Sequence, residues 1–166
     1  MRSRIALAVA GMAVAGSMAA ATPVAAAAAS ENLSVGASVS VKCTITTSSI
    51  AFGAYDPIVD HATTPLDGTG TVSIACTRGA TASIGLGTGL NGSRQMKDGG
   101  SSFLGYELYS DSARTSIWGN ASGSWFTPAA APSKAARPFT VYGRVAAGQD
   151  VPAGAYTDTV VATVNF

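Results

Sequence analysis

Charged side chains are scarce in this chain, and their scarcity limits the partners that it can bind. The 166 residues include 10 Lys and Arg and 9 Asp and Glu, which gives a formal net charge of +1. Nothing in this balance favours nucleic acid or an anionic lipid surface as a partner. Gly, Ser, Thr and Ala are abundant instead, which suits an extracellular β protein.

The sequence also lacks a leucine-rich run that would favour a retained membrane helix. Its longest apolar stretch, residues 5–21, is mostly Ala and Gly, follows a basic start at Arg2 and Arg4, and precedes the small residues 27–29. That order is typical of a secretory signal peptide, with cleavage after Ala29 favoured and after an earlier alanine as the alternative. We therefore expect residues 1–29 to be removed, and the mature chain to begin near Ser30 and be exported.

Histidine is nearly absent, which weakens any catalytic interpretation. The single histidine, His61, lies beside Asp60 in a polar loop, where a solvated side chain fits better than a Ser-His-Asp triad. Asp56, Asp60 and Asp67 are conceivable calcium ligands, but their spacing follows no known calcium loop. We therefore predict no catalytic residue and no metal site.

Two further patterns are weak signals for ligands. Residues 87–92 match G-x-G-x-x-G, but the following Asp98-Gly99-Gly100 cannot sustain the helix that a dinucleotide site requires. Trp118, Trp125 and Phe126 could form a sugar-binding platform, although aromatic residues near strand ends more often belong to the core or its rim. No cofactor is expected, and the chain is not predicted to be an enzyme.

There are two cysteines, Cys43 and Cys76, both in the predicted mature part. Two thiols in an exported chain pair more often than they stay free, and no C-x-x-C or further ligand set favours a redox or zinc site. We predict a disulfide that joins two early strands and contributes about 3–4 kcal/mol on the loop-entropy model.

The two ends of the mature chain alternate between apolar and polar residues, strictly so near the N-terminus, as a strand with one buried face does. Near the N-terminus one face consists of Leu33, Val35, Ala37, Val39 and Val41. Near the C-terminus one face contains Tyr156, Val160, Ala162, Val164 and Phe166. Both segments read as long strands of the edge type, which proteins normally protect with charge or proline.

Between these ends the sequence predicts several short strands and no helix. The expected strands are residues 50–53, 71–76, 81–86, 104–109, 117–119 and 139–145. Residues 65–68 read as a turn, and residues 87–102 and 129–136 read as loops. Many short strands separated by turns predict one all-β domain, an antiparallel sandwich.

Several segments resemble the spore coat protein U domain family over essentially the whole mature chain. They include Cys43-Thr44-Ile45, the stretches 50–56, 69–77 and 104–109, Trp118-Gly119, and the closing segment 141–160. This family includes subunits of archaic chaperone–usher pili. The resemblance implies an incomplete immunoglobulin-like sandwich that lacks one strand, and its family cysteines match Cys43 and Cys76.

The resemblance also implies how such a subunit assembles. A periplasmic chaperone supplies the missing strand temporarily, and at an outer-membrane usher the N-terminal strand of the next subunit replaces it. On this basis residues 30–42 are predicted to be a donor strand and residues 43–166 the pilin domain. The five alternating N-terminal side chains would enter a neighbour's groove, and the C-terminal set named above would line that groove.

The sequence thus predicts a pilus subunit that is exported through the periplasm to the cell surface and serves adhesion or biofilm formation. Its partners would be other pilin copies, a chaperone and an usher, with no nucleic acid. A coat or matrix protein that needs no usher is the alternative, and a fimbrial tip adhesin is a third. Whether an isolated subunit folds its own N-terminal strand into its own groove stays open.

Overall fold

The computed structural model describes residue 23 and residues 25–166. The predicted signal peptide therefore lies almost wholly outside the described residues. Residues 25–42 have no regular secondary structure, and one compact unit spans Ser38–Phe166. Within the described part of the chain, no helix is long and apolar enough to cross a membrane.

The compact unit consists of seven strands and, across the described residues, no helix. The strands are β1 (Cys43–Ser48), β2 (Leu66–Cys76), β3 (Ser83–Leu86), β4 (Gln95–Lys97), β5 (Phe103–Tyr109), β6 (Arg137–Val145) and β7 (Ala162–Asn165). One sheet has five strands in the order β1-β2-β6-β5-β4, and the other pairs β3 with β7. Every pairing is antiparallel, so the predicted all-β class is confirmed.

The core lies where side chains from both sheets meet. Alternate residues of β2 and β6 point inward, as period-two strands with one buried face require. The largest fully buried side chain is Trp118, which is 1% exposed and donates its Nε1–H to the Ile84 carbonyl at 2.8 Å. The Phe126 ring lies 4.9 Å from it. Trp118 and Phe126 are therefore core residues, and only Trp125 of the three aromatics is well exposed.

Two local predictions about loops and turns are wrong. Residues 65–68 are not a turn, because β2 begins at Leu66 and pairs with β6 from its first residue. The stretch 87–102 is not all loop, because β4 forms within it and pairs with β5. In both places a tertiary partner overrides a local Gly-rich signal.

The two long terminal strands are also shorter than their alternation predicts. The first ladder begins at Cys43, and residues 33–42 belong to no strand. The last strand covers only Ala162–Asn165, although Thr157 forms an isolated bridge with Lys97. A strand needs a hydrogen-bonded neighbour as well as a pattern, so alternation alone does not set its length.

The predicted disulfide is confirmed. Cys43 and Cys76 lie directly opposite each other on β1 and β2, with an S–S distance of 2.02 Å and Cα atoms 4.1 Å apart. Beside it, Thr77 holds the chain just before β1: its N–H donates to the Lys42 carbonyl at 2.8 Å, and its Oγ1 accepts from the Lys42 N–H at 3.0 Å. The start of β1 is thus fixed both covalently and by hydrogen bonds.

The disulfide should provide a measurable share of the stability. Changing both Cys43 and Cys76 to Ala should lower the free energy of unfolding by about 3–4 kcal/mol, because the unfolded chain regains the entropy of the opened loop. Urea unfolding followed by Trp fluorescence measures this loss. Reduction of the unchanged chain serves as the control and should give a similar loss, whereas an unchanged midpoint in both would contradict the prediction.

Candidate functional site

A long groove runs along the compact unit between two stretches of extended chain. One wall is formed by residues 47–57 and the other by residues 151–162. The groove has two lobes of about 400 and 590 Å³ that share four lining residues, Ile50, Phe52, Met96 and Tyr156. The shared residues make the two lobes one continuous feature.

The floor of the groove is apolar because it is the exposed side of the core. In the smaller lobe it consists of Val72, Leu86, Tyr106, Leu108 and Val141. In the larger lobe it consists of Leu66, Leu104 and Val145. Both sheets contribute to this floor, so an occupant of the groove would complete the packing between them.

Glycines in β2 and β6 let the first wall lie flat on the sheet. A Cβ on Gly70 would be 2.6 Å from Ile50 Cγ1, and a Cβ on Gly143 would be 2.7 Å from Phe52 Cζ. Gly68 has the same relation to Phe52, at 2.9 Å. These three glycines, of which only Gly68 belonged to the predicted turn, therefore leave the space in which the Ile50 and Phe52 side chains lie.

The first wall ends in a loop held by Asp56 and His61. Asp56 Oδ1 accepts from the N–H groups of Ile58 and Val59 at 2.8 and 3.1 Å, and these bonds lower the pKa of the carboxyl group. The Asp56 N–H donates to His61 Nδ1 at 2.9 Å, and the imidazole stacks on Tyr55 with centroids 5.1 Å apart. His61 is therefore a structural residue of this loop.

Asp56 and Asp67, two of the three aspartates considered as calcium ligands, make separate contacts. Asp67 accepts two bonds from Arg144, at 2.7 and 2.9 Å, and lies 3.3 Å from Arg114. The bond from Arg144 lowers the pKa of Asp67. Asp56, in contrast, caps its own loop. Within the part of the chain described, no group of three or more His, Cys, Asp or Glu side chains could hold a metal ion.

The backbone of the second wall is hydrogen bonded on one side. The N–H and C=O of Thr157 bond to Lys97 at 3.0 and 2.9 Å, and the carbonyls of Thr159 and Val161 accept from N–H groups of the loop that follows β3, at 3.0 and 2.9 Å. Successive residues of an extended chain direct their backbone groups to opposite sides. The groups of Asp158 and Val160 therefore face the groove, and among the described residues they have no hydrogen-bond partner.

The first wall also has an open backbone edge. Over residues 49–55, no backbone N–H or C=O takes part in a hydrogen bond within the described chain. An extended segment between the two walls would find backbone partners on both sides and an apolar floor beneath. The shape and chemistry of the groove thus match a single β-strand, the mode of binding known as β-strand addition.

A polar pair crosses the groove near its centre. Tyr106 donates its hydroxyl to Asp158 Oδ2 at 2.7 Å, and its ring lies 6.2 Å from that of Phe52 on the opposite wall. Burial and this hydrogen bond raise the pKa of Tyr106, so the hydroxyl remains a donor. Sequence reasoning missed the pair, although Asp158 visibly breaks the apolar alternation of the last segment.

Arg94 is a second polar group near the groove whose role the sequence did not predict. It is buried, and its Nη2 donates to the carbonyls of Leu86 and Trp118 at 2.9 and 2.8 Å. Glu107 lies 3.9 Å from its other terminal nitrogen. Because these partners join β3, β5 and the Trp118 segment, Arg94 is a structural cross-link beneath the groove.

The side chains predicted to line an acceptor groove fall into three groups. Tyr156, Val160 and Ala162 line the groove. Val164 packs against the core, and Phe166 is 59% exposed and outside the lining.

The predicted donor side chains are exposed. The exposed fraction is 87% for Leu33, 86% for Val35 and 85% for Val39, while Ala37 is also exposed and Val41 is 55% exposed. Isolated apolar residues are common on surfaces, but four large ones at alternate positions form an unpartnered face.

The fold and the groove define a class of protein: an antiparallel β-sandwich that lacks one strand between two open edges. The family model "Spore Coat Protein U domain" matches residues 29–163. This chain belongs to that family. Membership places it among structural proteins and not among enzymes.

Two known proteins are similar to the chain. "Protein U" of Myxococcus xanthus is 41% identical over 177 residues, covering 96% of this chain and 97% of that protein. A crystal structure of the CsuC–CsuE chaperone–tip adhesion subunit pre-assembly complex, from the archaic chaperone-usher Csu pili of Acinetobacter baumannii, shares the fold with a TM-score of 0.58 and 23% identity. That match covers 77% of this chain and 40% of the solved chain.

The stability of the domain should be sensitive to a single methyl group added where Gly68, Gly70 and Gly143 contact the first wall. Gly143→Ala should lower the free energy of unfolding by about 1–3 kcal/mol, because the new Cβ meets the Phe52 ring, which Gly68 also confines. Urea unfolding measures the change, and Gly99→Ala, which has open space around it, is the matched control. Phe52→Leu in the Gly143→Ala chain should restore part of the loss, and strictly additive effects would contradict the contact.

Proposed function

We propose that this chain is the structural subunit of an extracellular fibre that polymerises by donor-strand exchange. Residues 30–42 of one copy enter the groove of the next, and residues 43–166 form the accepting domain. The observation that carries the proposal is the groove itself, with an apolar floor between two backbone edges whose N–H and C=O groups have no hydrogen-bond partner among the described residues. Such a site accepts a strand better than a small ligand.

The N-terminal segment has the side chains that this groove requires. An inserted strand presents alternate residues to the floor and satisfies both edges with its backbone. Burying the face formed by Leu33, Val35, Ala37, Val39 and Val41 would contribute on the order of 5–10 kcal/mol per junction before ordering costs. Because donor and acceptor are different surfaces of the same chain, the contact is head-to-tail and builds an open filament.

The proposal includes the route by which the subunit reaches its fibre. An unfilled groove exposes core side chains, so a periplasmic chaperone that lends a strand would protect it before an outer-membrane usher directs exchange. The structural likeness to a subunit crystallised with its chaperone supports this partner. The predicted signal peptide supports export, and the finished fibre would lie at the cell surface, where it would serve adhesion or biofilm formation.

A second candidate function is a spore coat or matrix protein that is not assembled by an usher. The 41% identity to Protein U over nearly the whole length of both chains favours it. Both candidates use the same groove and differ in where the polymer lies. A tip adhesin is a weaker third candidate, because the alternating N-terminal face suits a subunit that donates a strand.

Removal of the donor segment tests strand exchange. If the chain polymerises as proposed, unheated samples from the native host should show a ladder of SDS-resistant oligomers, and deletion of residues 31–40, which leaves Cys43 in place, should abolish it. Val39→Asp should reduce the ladder by at least about tenfold, because a carboxylate would enter the apolar groove without a partner. Ser38→Asp, on the opposite face of the same segment, is the matched control and should leave the ladder intact.

Secretion must be measured alongside the ladder, since a chain that fails to leave the cell cannot polymerise. Val39→Asp should be exported at the level of the unchanged chain. An unchanged oligomer ladder after the deletion would contradict the proposal. A chain that stays monomeric while its own segment fills its own groove would also contradict it.

The two candidate functions differ in location. Immunogold labelling of whole cells should decorate thin surface fibres if the chain is a pilus subunit, and disruption of chaperone and usher genes in the host should remove them. Label confined to a coat layer that persists after that disruption would instead support the coat protein.

A further inference from the structure

The groove has one position where its lining changes from apolar to charged. Along the second wall, Tyr156, Val160 and Ala162 present apolar side chains, but Asp158 stands at the same parity and interrupts them. Its carboxylate accepts four hydrogen bonds: from the Tyr106 hydroxyl at 2.7 Å, from the Asn91 N–H and Nδ2 at 3.2 Å each, and from the Thr159 N–H at 2.8 Å. This side chain is therefore held in place.

The floor is also bulkiest at this position. Tyr106 is the largest side chain of the floor, and it runs across the groove from Phe52 on one wall to Asp158 on the other. Because the hydroxyl is bonded to a fixed carboxylate, the ring cannot swing aside to admit a large side chain. The centre of the groove should accept the smallest side chain of an inserted strand.

The N-terminal segment carries such a residue at its centre. In the series of alternating apolar side chains, Ala37 stands between Val35 and Val39 and is the smallest of the five. Gly36 precedes it, which leaves this part of the segment with the least side-chain volume. The segment and the groove are therefore complementary in the order of large and small positions.

We infer that Ala37 sets the register of the exchanged strand, an inference that rests on the proposed function. In an antiparallel arrangement Ala37 lies opposite Asp158, over the Tyr106 ring. The remaining pairs are then Leu33 with Ala162, Val35 with Val160, Val39 with Tyr156 and Val41 with Gly154. The largest donor side chain meets a small wall residue, and backbone groups of Asp158 and Val160 receive partners.

The neighbouring registers fit less well. A slip by one residue would turn the whole apolar face out of the groove, so only shifts of two residues compete. A shift in one direction places Val35 over Tyr106 and Asp158, and a shift in the other places Val39 there. Either shift presses a branched side chain against the fixed polar pair, and overpacking of this kind is destabilising.

Cysteine pairs in the full chain test the register. Val35→Cys with Val160→Cys should give a ladder of disulfide-linked oligomers on a non-reducing gel, because each donor cysteine meets the acceptor cysteine of the next copy. Val35→Cys with Ala162→Cys, the matched control for a two-residue shift, should give at least about tenfold less. Peptide mapping of the bands identifies the linked residues and separates them from the Cys43–Cys76 bond.

The outcomes separate the register from the proposed function. A stronger ladder from the shifted pair overturns the register and leaves strand exchange standing. The expected pair linked within a monomer supports the register and contradicts exchange between copies. No cross-link from either pair, in chains that are secreted and folded, overturns the register, and the effect of deleting residues 31–40 then decides whether strand exchange stands.

Residue size at the centre provides an independent test. Ala37→Leu should reduce the amount of SDS-resistant oligomer by about tenfold or more. Val35→Leu, at the preceding position of the same face, should reduce it by less than about threefold. Tyr106→Leu removes the bulky ring and should restore part of the ladder to the Ala37→Leu chain. Equal losses at positions 35 and 37, with no restoration, would overturn the role of Ala37.

Discussion

The structure depends on two backbone edges that flank the groove without hydrogen-bond partners. Residues 49–55 on one side and Asp158 and Val160 on the other leave their peptide groups free in the described chain. Peptide groups over an apolar floor can be covered only by a segment that bonds to them, so the floor and the edges select the same occupant. A strand in the groove would complete the packing between the two sheets, and this open site links the fold to the assembly that we propose.

The first wall shows why local sequence signals misled the prediction. Gly68 follows a proline and reads as the end of a turn, yet it lies in β2. The Phe52 ring occupies the space where its side chain would be, and Ile50 does the same at Gly70. The need for glycine arises from a segment about 20 residues earlier in the chain. A single sequence shows the glycine but not the neighbour that requires it, and turn chemistry was the wrong explanation for a packing constraint.

Much of the remaining fold followed from alternation wherever a partner strand lies in the same compact unit. Residues 71–76, 104–109 and 139–145 lie in β2, β5 and β6, and Cys43 pairs with Cys76 as predicted. The polar pair of Tyr106 and Asp158 was not predicted, because its members are 52 positions apart and no local pattern connects them. Asp158 did leave a trace, since it is the one polar residue at an apolar parity, and such a break in a regular strand marks a position with its own partner.

The junction between donor segment and domain determines how a fibre built in the proposed way carries load. Thr77 accepts from and donates to Lys42 and bonds to the Ser40 carbonyl at 3.2 Å, so the chain is fixed to β2 just before Cys43. The disulfide then passes force from β1 to β2, and β2 is paired with β6 over nine residues from Leu66 to Ile74. A pull on the donor strand therefore acts along paired strands and not on a loose linker. The donor face ends at Val41 and the first strand of the domain begins at Cys43, so only Lys42 separates the two. The same anchoring that stabilises the single domain thus suits it to a head-to-tail polymer.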